Sequence, residues 1–248
     1  IHTRYGLDVA INASNLLYFL PSTLYGEHPD LSDAQRLAFY QLNMKTFIRG
    51  HTGQAQDIWW AKNLKQTLAA EGKCDHLAEQ ILDMYELKTA SAAIAAAEAC
   101  CILADTDKKT RAACTAFAKA FGVGFQITND LLSFMPAQKK DGRAGEDLAG
   151  GKLTYVIMKS MDNLGDDDSE RLAAILCSPK LRKKAAVIRE GIELVRKSGA
   201  PGQCQKEAEA MTDAGWKMFS RVVPPSEPRM MLRLFTKGLV SLTDTRQE

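Results

Sequence analysis

Long apolar runs are missing from this chain. The nearest, residues 90–104, interrupted by Glu98, falls short of the roughly 20 residues that cross a bilayer, so no membrane span is expected. Neither sign of charge is in excess: 32 Lys and Arg stand against 30 Asp and Glu, for a net charge of +2. That balance argues against a surface built around nucleic-acid backbone. Cysteine is limited to six positions (74, 100, 101, 114, 177 and 204), with no CxxC pair and no Cys/His set at zinc-ligand spacing. These read as buried, reduced thiols of a reducing compartment. With no signal peptide in view, the cytoplasm is the expected location.

Proline is absent between Pro29 and Pro136. Strict two-residue alternation is scarce, and no Asn-Gly or Asp-Gly turn joins two such runs. What fills the stretch is Ala, Leu, Gln, Lys and Glu, side chains that lose little rotamer freedom in a helix. The chain therefore reads as all-α. A first helix is predicted over residues 7–20, ended by Pro21. Ser32 with Gln35 makes a capping box, opening a helix whose Leu37, Tyr40, Met44, Phe47 and Ile48 recur toward Gly50. Helical runs follow over residues 53–60 and 64–70. One long helix is expected over 76–103, with small residues from 90 to 99, and another over 108–134. Residues 136–152 form a glycine-rich, charge-dense loop, after which helices resume near Leu153, Ser169, Pro179, Gly202 and Pro228. No low-complexity linker divides residues 1–248, so a single domain is expected.

Polar groups stand out against this apolar background in four places. Gln126, Asn129, Asp130 and Ser133, at offsets of three, four and seven, share one helical face. Such a stripe is costly unless its groups find partners or a wet cavity, so it is either a hydrogen-bond cluster, an exposed face or a site. Gly53, Gln54 and Asp57, with His51 a turn earlier, form a second set ahead of Trp59 and Trp60. Lys88 and Thr89 stand in a helix that then turns small and apolar, where a lysine can also simply snorkel to solvent. The fourth set is Lys139-Lys140-Asp141-Gly142-Arg143 followed by Asp147 and Lys152. Cations beside glycines can hold a phosphate, because glycine lets backbone amides approach an anion; the alternative is a solvated loop.

Taken in order, these sets resemble one family, the trans-isoprenyl diphosphate synthases. His2-Thr-Arg-Tyr-Gly followed by Ala10-Ile-Asn-Ala-Ser-Asn is similar to the stretch just after that family's first aspartate-rich motif. Gly53-Gln-Ala-Gln-Asp-Ile resembles its GQxxD helix, Lys88-Thr89 its Lys-Thr pair, and Phe125-Gln-Ile-Thr-Asn-Asp-Leu-Leu-Ser its FQxxDDxxD helix. Gly142-Arg143 through Asp147 to Gly151-Lys152-Leu-Thr-Tyr resembles its GK…DLxxGKxT loop.

The resemblance implies a helical bundle of the isoprenoid synthase type around a central apolar cavity. It implies Mg²⁺-dependent transfer of a prenyl group from an allylic diphosphate to isopentenyl diphosphate, and a homodimer. Hard cations with oxygen ligands neutralise a departing diphosphate, and a dry cavity protects the carbocation left behind. Carried over by position, Asp130 is a metal ligand with Asn129 beside it and Ser133 a turn on, and Asp57 supports the metal with Gln54 alongside. Lys88, Arg143 and Lys152 contact the allylic diphosphate, Arg143 standing where the family usually has lysine. Thr89 and Gln126 line the reacting centre.

Two departures qualify this. The second acidic motif reads Asn129-Asp130-Leu-Leu-Ser133, so two of three carboxylates are replaced by weaker ligands for a hard cation. No DDxxD occurs; Asp166-Asp167-Asp168 reads as a helix N-terminal charge run. The chain is thus expected to lack the first helices of the family and to be inactive alone. Transfer to another acceptor such as an indole, and a non-catalytic regulatory subunit, are the alternative readings.

Overall fold

The computed structural model describes residues 1–71, 75–135 and 144–242, and every regular element among them is helical. In chain order these are α1 (His2–Tyr5), α2 (Leu7–Gly26), α3 (Asp33–Lys62), α4 (Leu64–Glu71), α5 (Asp75–Tyr85), a π-turn (Glu86–Ala90), α6 (Ser91–Leu103) and α7 (Lys108–Leu132). There follow α8 (Glu146–Gly150), α9 (Tyr155–Asn163), α10 (Asp166–Cys177), α11 (Pro179–Arg182), α12 (Ala185–Lys197), α13 (Ala200–Phe219) and α14 (Glu227–Val240).

The starts of these helices follow local chemistry. The capping box of α3 forms as expected: Ser32 Oγ accepts from Gln35 N at 3.2 Å, and Gln35 Oε1 accepts from Ser32 N at 3.0 Å. Asp107 caps α7 through Thr110 N at 2.6 Å, and Thr154 caps α9 through Ile157 N. Asp166, Asp167 and Asp168 form the first turn of α10, where carboxylates favour the positive end of the helix dipole.

Three expectations are corrected. α2 continues through Pro21 to Gly26. The missing N–H of Pro21 leaves the Leu17 carbonyl without its helical partner, but Leu17 is exposed and α2 buries none of its residues, so water can take up that oxygen. The runs at 32–50 and 53–60 are one helix, α3, which passes through Gly50 without ending and uses Gly53 for close packing. A Cβ on Gly53 would lie 2.6 Å from Lys88 N and 2.8 Å from Leu87 Cβ. The predicted helix 76–103 is broken in phase by the π-turn, whose extra residue rotates Lys88 and Thr89 relative to α5.

α7 is the central rod, packed by α6, α13, α14 and the π-turn. Small residues allow the approach: a Cβ on Gly122 would meet Ala90 Cα at 2.5 Å, and one on Gly124 would meet Thr212 Oγ1 at 2.7 Å. A contiguous core runs from Trp60 and Leu64 through Ile81, Met84, Ile127 and Leu131 to Ile157, Leu172, Ile175 and Val240. The described cysteines are all unpaired. Cys101 and Cys204 are buried as expected, while Cys100 is exposed because it faces away from Cys101 on α6; Cys74 lies outside the described residues. No described helix is long and apolar enough to cross a membrane.

Candidate active site

Members of all four polar sets, far apart in the chain, approach one another where α3, the π-turn, α7 and the turn around α8 come together, the fourth set through Asp147 and Lys152, since residues 139–143 lie outside the described residues. Thr89 Oγ1 donates to Gln126 Oε1 at 2.6 Å, and Gln126 Nε2 donates to Asp130 Oδ1 at 2.8 Å. The other Asp130 oxygen accepts from the hydroxyl of Tyr85, which in turn accepts from Tyr155 N at 2.9 Å. One turn on, Ser133 Oγ donates to Asp147 Oδ2 at 2.7 Å, and Lys152 Nζ pairs with Asp147 Oδ1 at 2.9 Å. On the other side of the π-turn the Lys88 ammonium pairs with Asp57 of α3, with half-buried Gln54 one turn before it.

The turn that presents Asp147 and Lys152 is set by glycine. Gly145 and Gly151 bracket α8 with φ of 76° and 68°, left-handed values that L side chains rarely adopt. Lys152 N closes the turn on the Asp147 carbonyl at 2.9 Å.

Burial governs the electrostatics. Asp130 is 5% exposed. Desolvation pushes its pKa up to about 7; the hydrogen bonds from Tyr85 and Gln126 oppose that rise and the Asp147 charge adds to it. Burial, with the Asp130 charge beside it, raises Tyr85 well above a free phenol, so it stays a neutral donor. Desolvation works against the Lys152 ammonium, but Asp147 outweighs it and holds the group above the ordinary lysine range.

The residues expected to hold a metal do not fit a self-contained cage. Both Asp130 oxygens are already accepting hydrogen bonds, Asp57 is paired with Lys88, and Asn129 is exposed on α7. Ser133 is turned toward Asp147. Among the described residues no three acidic, His or Cys side chains are arranged to hold a metal ion. Asn129 and Ser133 are neutral, so on this stripe Asp130 alone offers a cation a carboxylate. That acid sinks into a hydrogen-bonded pocket instead. Arg143 lies outside the described residues.

Tyr85 and Tyr155 are the participants that sequence reasoning missed, and Asp147 was seen only as part of a charged loop. Tyr85 stands three residues before Lys88, and a tyrosine in a core helix needs a partner for its hydroxyl, which is the one signal that pointed to it.

Residues 1–195 match the family described as polyprenyl synthetase. A short chain isoprenyl diphosphate synthase of Methanocaldococcus jannaschii is 29% identical over 199 residues, 80% of this chain and 56% of that protein. The protein of the same description from Methanothermobacter thermautotrophicus is 30% identical over 204 residues, 81% of this chain and 57% of that protein. The chain thus spans about half the length of the curated relatives it matches. Among solved structures, geranylgeranyl pyrophosphate synthetase from Pyrococcus horikoshii superposes with a TM-score of 0.81 at 23% identity, covering 96% of this chain and 68% of that one. The synthase from Corynebacterium glutamicum, complexed with isoprenyl diphosphate and magnesium, gives 0.79 at 19% identity, covering 96% of this chain and 64% of that one.

Proposed function

The chain belongs to the polyprenyl synthetase family, and from that premise we propose that it forms the diphosphate-gripping part of a trans-prenyltransferase acting on an allylic diphosphate. The observation that carries this reading is the convergence of Lys88, Thr89, Gln126, Asp130 and Lys152 from the π-turn, α7 and the α8 turn. Lys88 and Lys152 each rest on a single carboxylate, Asp57 and Asp147. Each is therefore a cation held in place and able to turn its remaining donors to a phosphate. Arg143 belongs to the same set by its place in the sequence. In this reading Thr89 and Gln126 turn their oxygens toward the reacting centre, where a developing cation is favoured.

In the proposed reaction the allylic C–O bond breaks and diphosphate leaves with the electron pair. The double bond of isopentenyl diphosphate forms the new C–C bond, and a proton is then lost. Ala93 and Ala97 of α6 and Phe121 and Phe125 of α7, packed at the edge of the core, supply apolar surface for the prenyl tail. Mg²⁺ belongs to the proposal as the ion that a diphosphate carries with it, and magnesium accompanies isoprenyl diphosphate in the Corynebacterium structure. The working unit is a homodimer, and unpaired cysteines favour a reducing compartment such as the cytoplasm.

The buried, fully bonded Asp130 favours a second reading: a family member that binds diphosphates without turning them over and modulates a competent synthase. Incubating the whole protein with labelled isopentenyl diphosphate and an allylic partner, with and without Mg²⁺, separates the two. Mg²⁺-dependent product, lost in Lys152→Gln, supports the transferase. Allylic diphosphate binding that needs Lys152 but yields no product selects the regulatory subunit.

A further inference from the structure

A second concentration of positive charge lies against the α8 turn. α3 ends at Lys62, Asn63 breaks the helix, and α4 starts at Leu64. The junction between α10 and α11 faces this break across a cleft of about 240 Å³ walled by Lys62, Asn63, Lys65, Cys177, Pro179 and Arg182. No carboxylate lines it, and neither lysine nor Arg182 is in an ion pair among the described residues. Burial raises the Cys177 thiol while Lys65 and Arg182 pull the other way, so both cations bear on one sulfur. The sequence adds Lys180, Lys183 and Lys184 around Arg182.

Arg182 is set rather than loose. Its Nη1 donates to the Ala149 carbonyl at 3.0 Å, and its guanidinium lies where a Cβ on Gly151 would come within 2.5 Å. Its Nε is buried and has no partner. Like charges gathered in a partly enclosed cleft repel one another, and an anion relieves that cost. A braced guanidinium flanked by two movable ammoniums suits the oxygens of a phosphate. The volume is below the roughly 300 Å³ at which drug-sized sites begin, which suits a small anion.

We propose that this cleft is a second anion site, separate from Lys152, that takes a phosphate or diphosphate group, either free or as the head of a larger molecule. It stands whether or not the chain supports prenyl transfer. The test follows alkylation of Cys177 by iodoacetamide in the whole protein with peptide mapping, with exposed Cys100, which does not line the cleft, as internal reference. Inorganic diphosphate at ten times its Kd is expected to slow Cys177 about tenfold and leave Cys100 unchanged. That protection is lost in Lys65→Gln/Arg182→Gln and kept in Lys152→Gln. Because Arg182 also braces Ala149, Lys62→Gln/Lys65→Gln is made beside it; both lysines end in solvent-facing ammoniums, and this variant is expected to weaken protection with an unchanged melting temperature. Protection by a short prenyl diphosphate but not by inorganic diphosphate identifies the anion as a headgroup. A Cys177 rate unmoved by both, or protection that disappears with Lys152 and survives loss of Lys65 and Arg182, overturns the proposal.

Discussion

Asp130 is a carboxyl placed where a charge is expensive. Its pKa of about 7 lies well above the 3.8 of a free aspartate, chiefly through desolvation. Between about pH 4 and pH 7 the folded protein holds a proton that the unfolded chain has released, so raising pH through that window withdraws stability, on the order of a few kcal/mol. Asn in its place is neutral at every pH and keeps an acceptor for Tyr85. Urea unfolding from pH 4 to 8 is therefore expected to show stability falling for the wild type and nearly level for Asp130→Asn. An equal slope in both moves the proton elsewhere. Tyr85 is the companion test: Tyr85→Phe leaves Tyr155 N–H and one Asp130 oxygen without their partner, a loss of about 1–3 kcal/mol in the same unfolding experiment. The stripe Gln126–Asp130–Ser133 was legible in the sequence because helical spacing alone puts those groups on one face. Its partners were not. Tyr85 and Asp147 reach it only through tertiary packing, and a core tyrosine's need for a hydroxyl partner does not say which residue supplies it.

At the scale of elements, the sequence pattern located the helices and misjudged their continuity. Composition and capping residues showed where α3, α7, α10 and α14 begin, since those signals are local. Glycine was ambiguous, because a helix-ending glycine and one that admits a neighbouring backbone look identical in a single sequence. Gly53 is of the second kind: its Cα hydrogen faces the π-turn, and a methyl there would collide with Lys88 N, Leu87 Cβ and Leu87 C at 2.6, 2.8 and 3.0 Å. Two of these are backbone atoms that no rotamer change can move. Gly53→Ala gains helix propensity on α3 and yet is expected to cost about 1–3 kcal/mol as overpacking. It should also weaken allylic diphosphate binding by displacing Lys88, whereas Gly202→Ala, in open space on α13, should do neither. Thermal melts and ligand titration on both variants read the difference. The π-turn itself left no compositional trace, for it is one extra residue inserted into a helix that remains helical on both sides.

At the scale of the whole molecule, an apolar surface is left uncovered by the described residues. α2 buries none of its residues and exposes Leu16, Leu17, Phe19, Leu20 and Leu24, with Leu24 73% exposed. Beside it α3 presents Tyr40, Met44 and Ile48 along a groove of about 610 Å³. Soluble monomers seldom leave apolar patches beyond a few hundred Å² uncovered, and a two-fold axis lets one such patch cover its own copy. A stable pair is expected to bury about 1,600 Å² in total, which a 20-residue helix about 30 Å long and its neighbour can supply. The wild type should therefore sediment as a dimer at micromolar concentration. Leu16→Glu/Phe19→Glu should sediment as a monomer, since two carboxylates facing their symmetry mates cannot be desolvated together. Neither side chain contributes to the buried core, so the variant is expected to keep its helical circular dichroism. A wild type that remains monomeric at these concentrations would assign the α2 surface to some occupant other than a second copy.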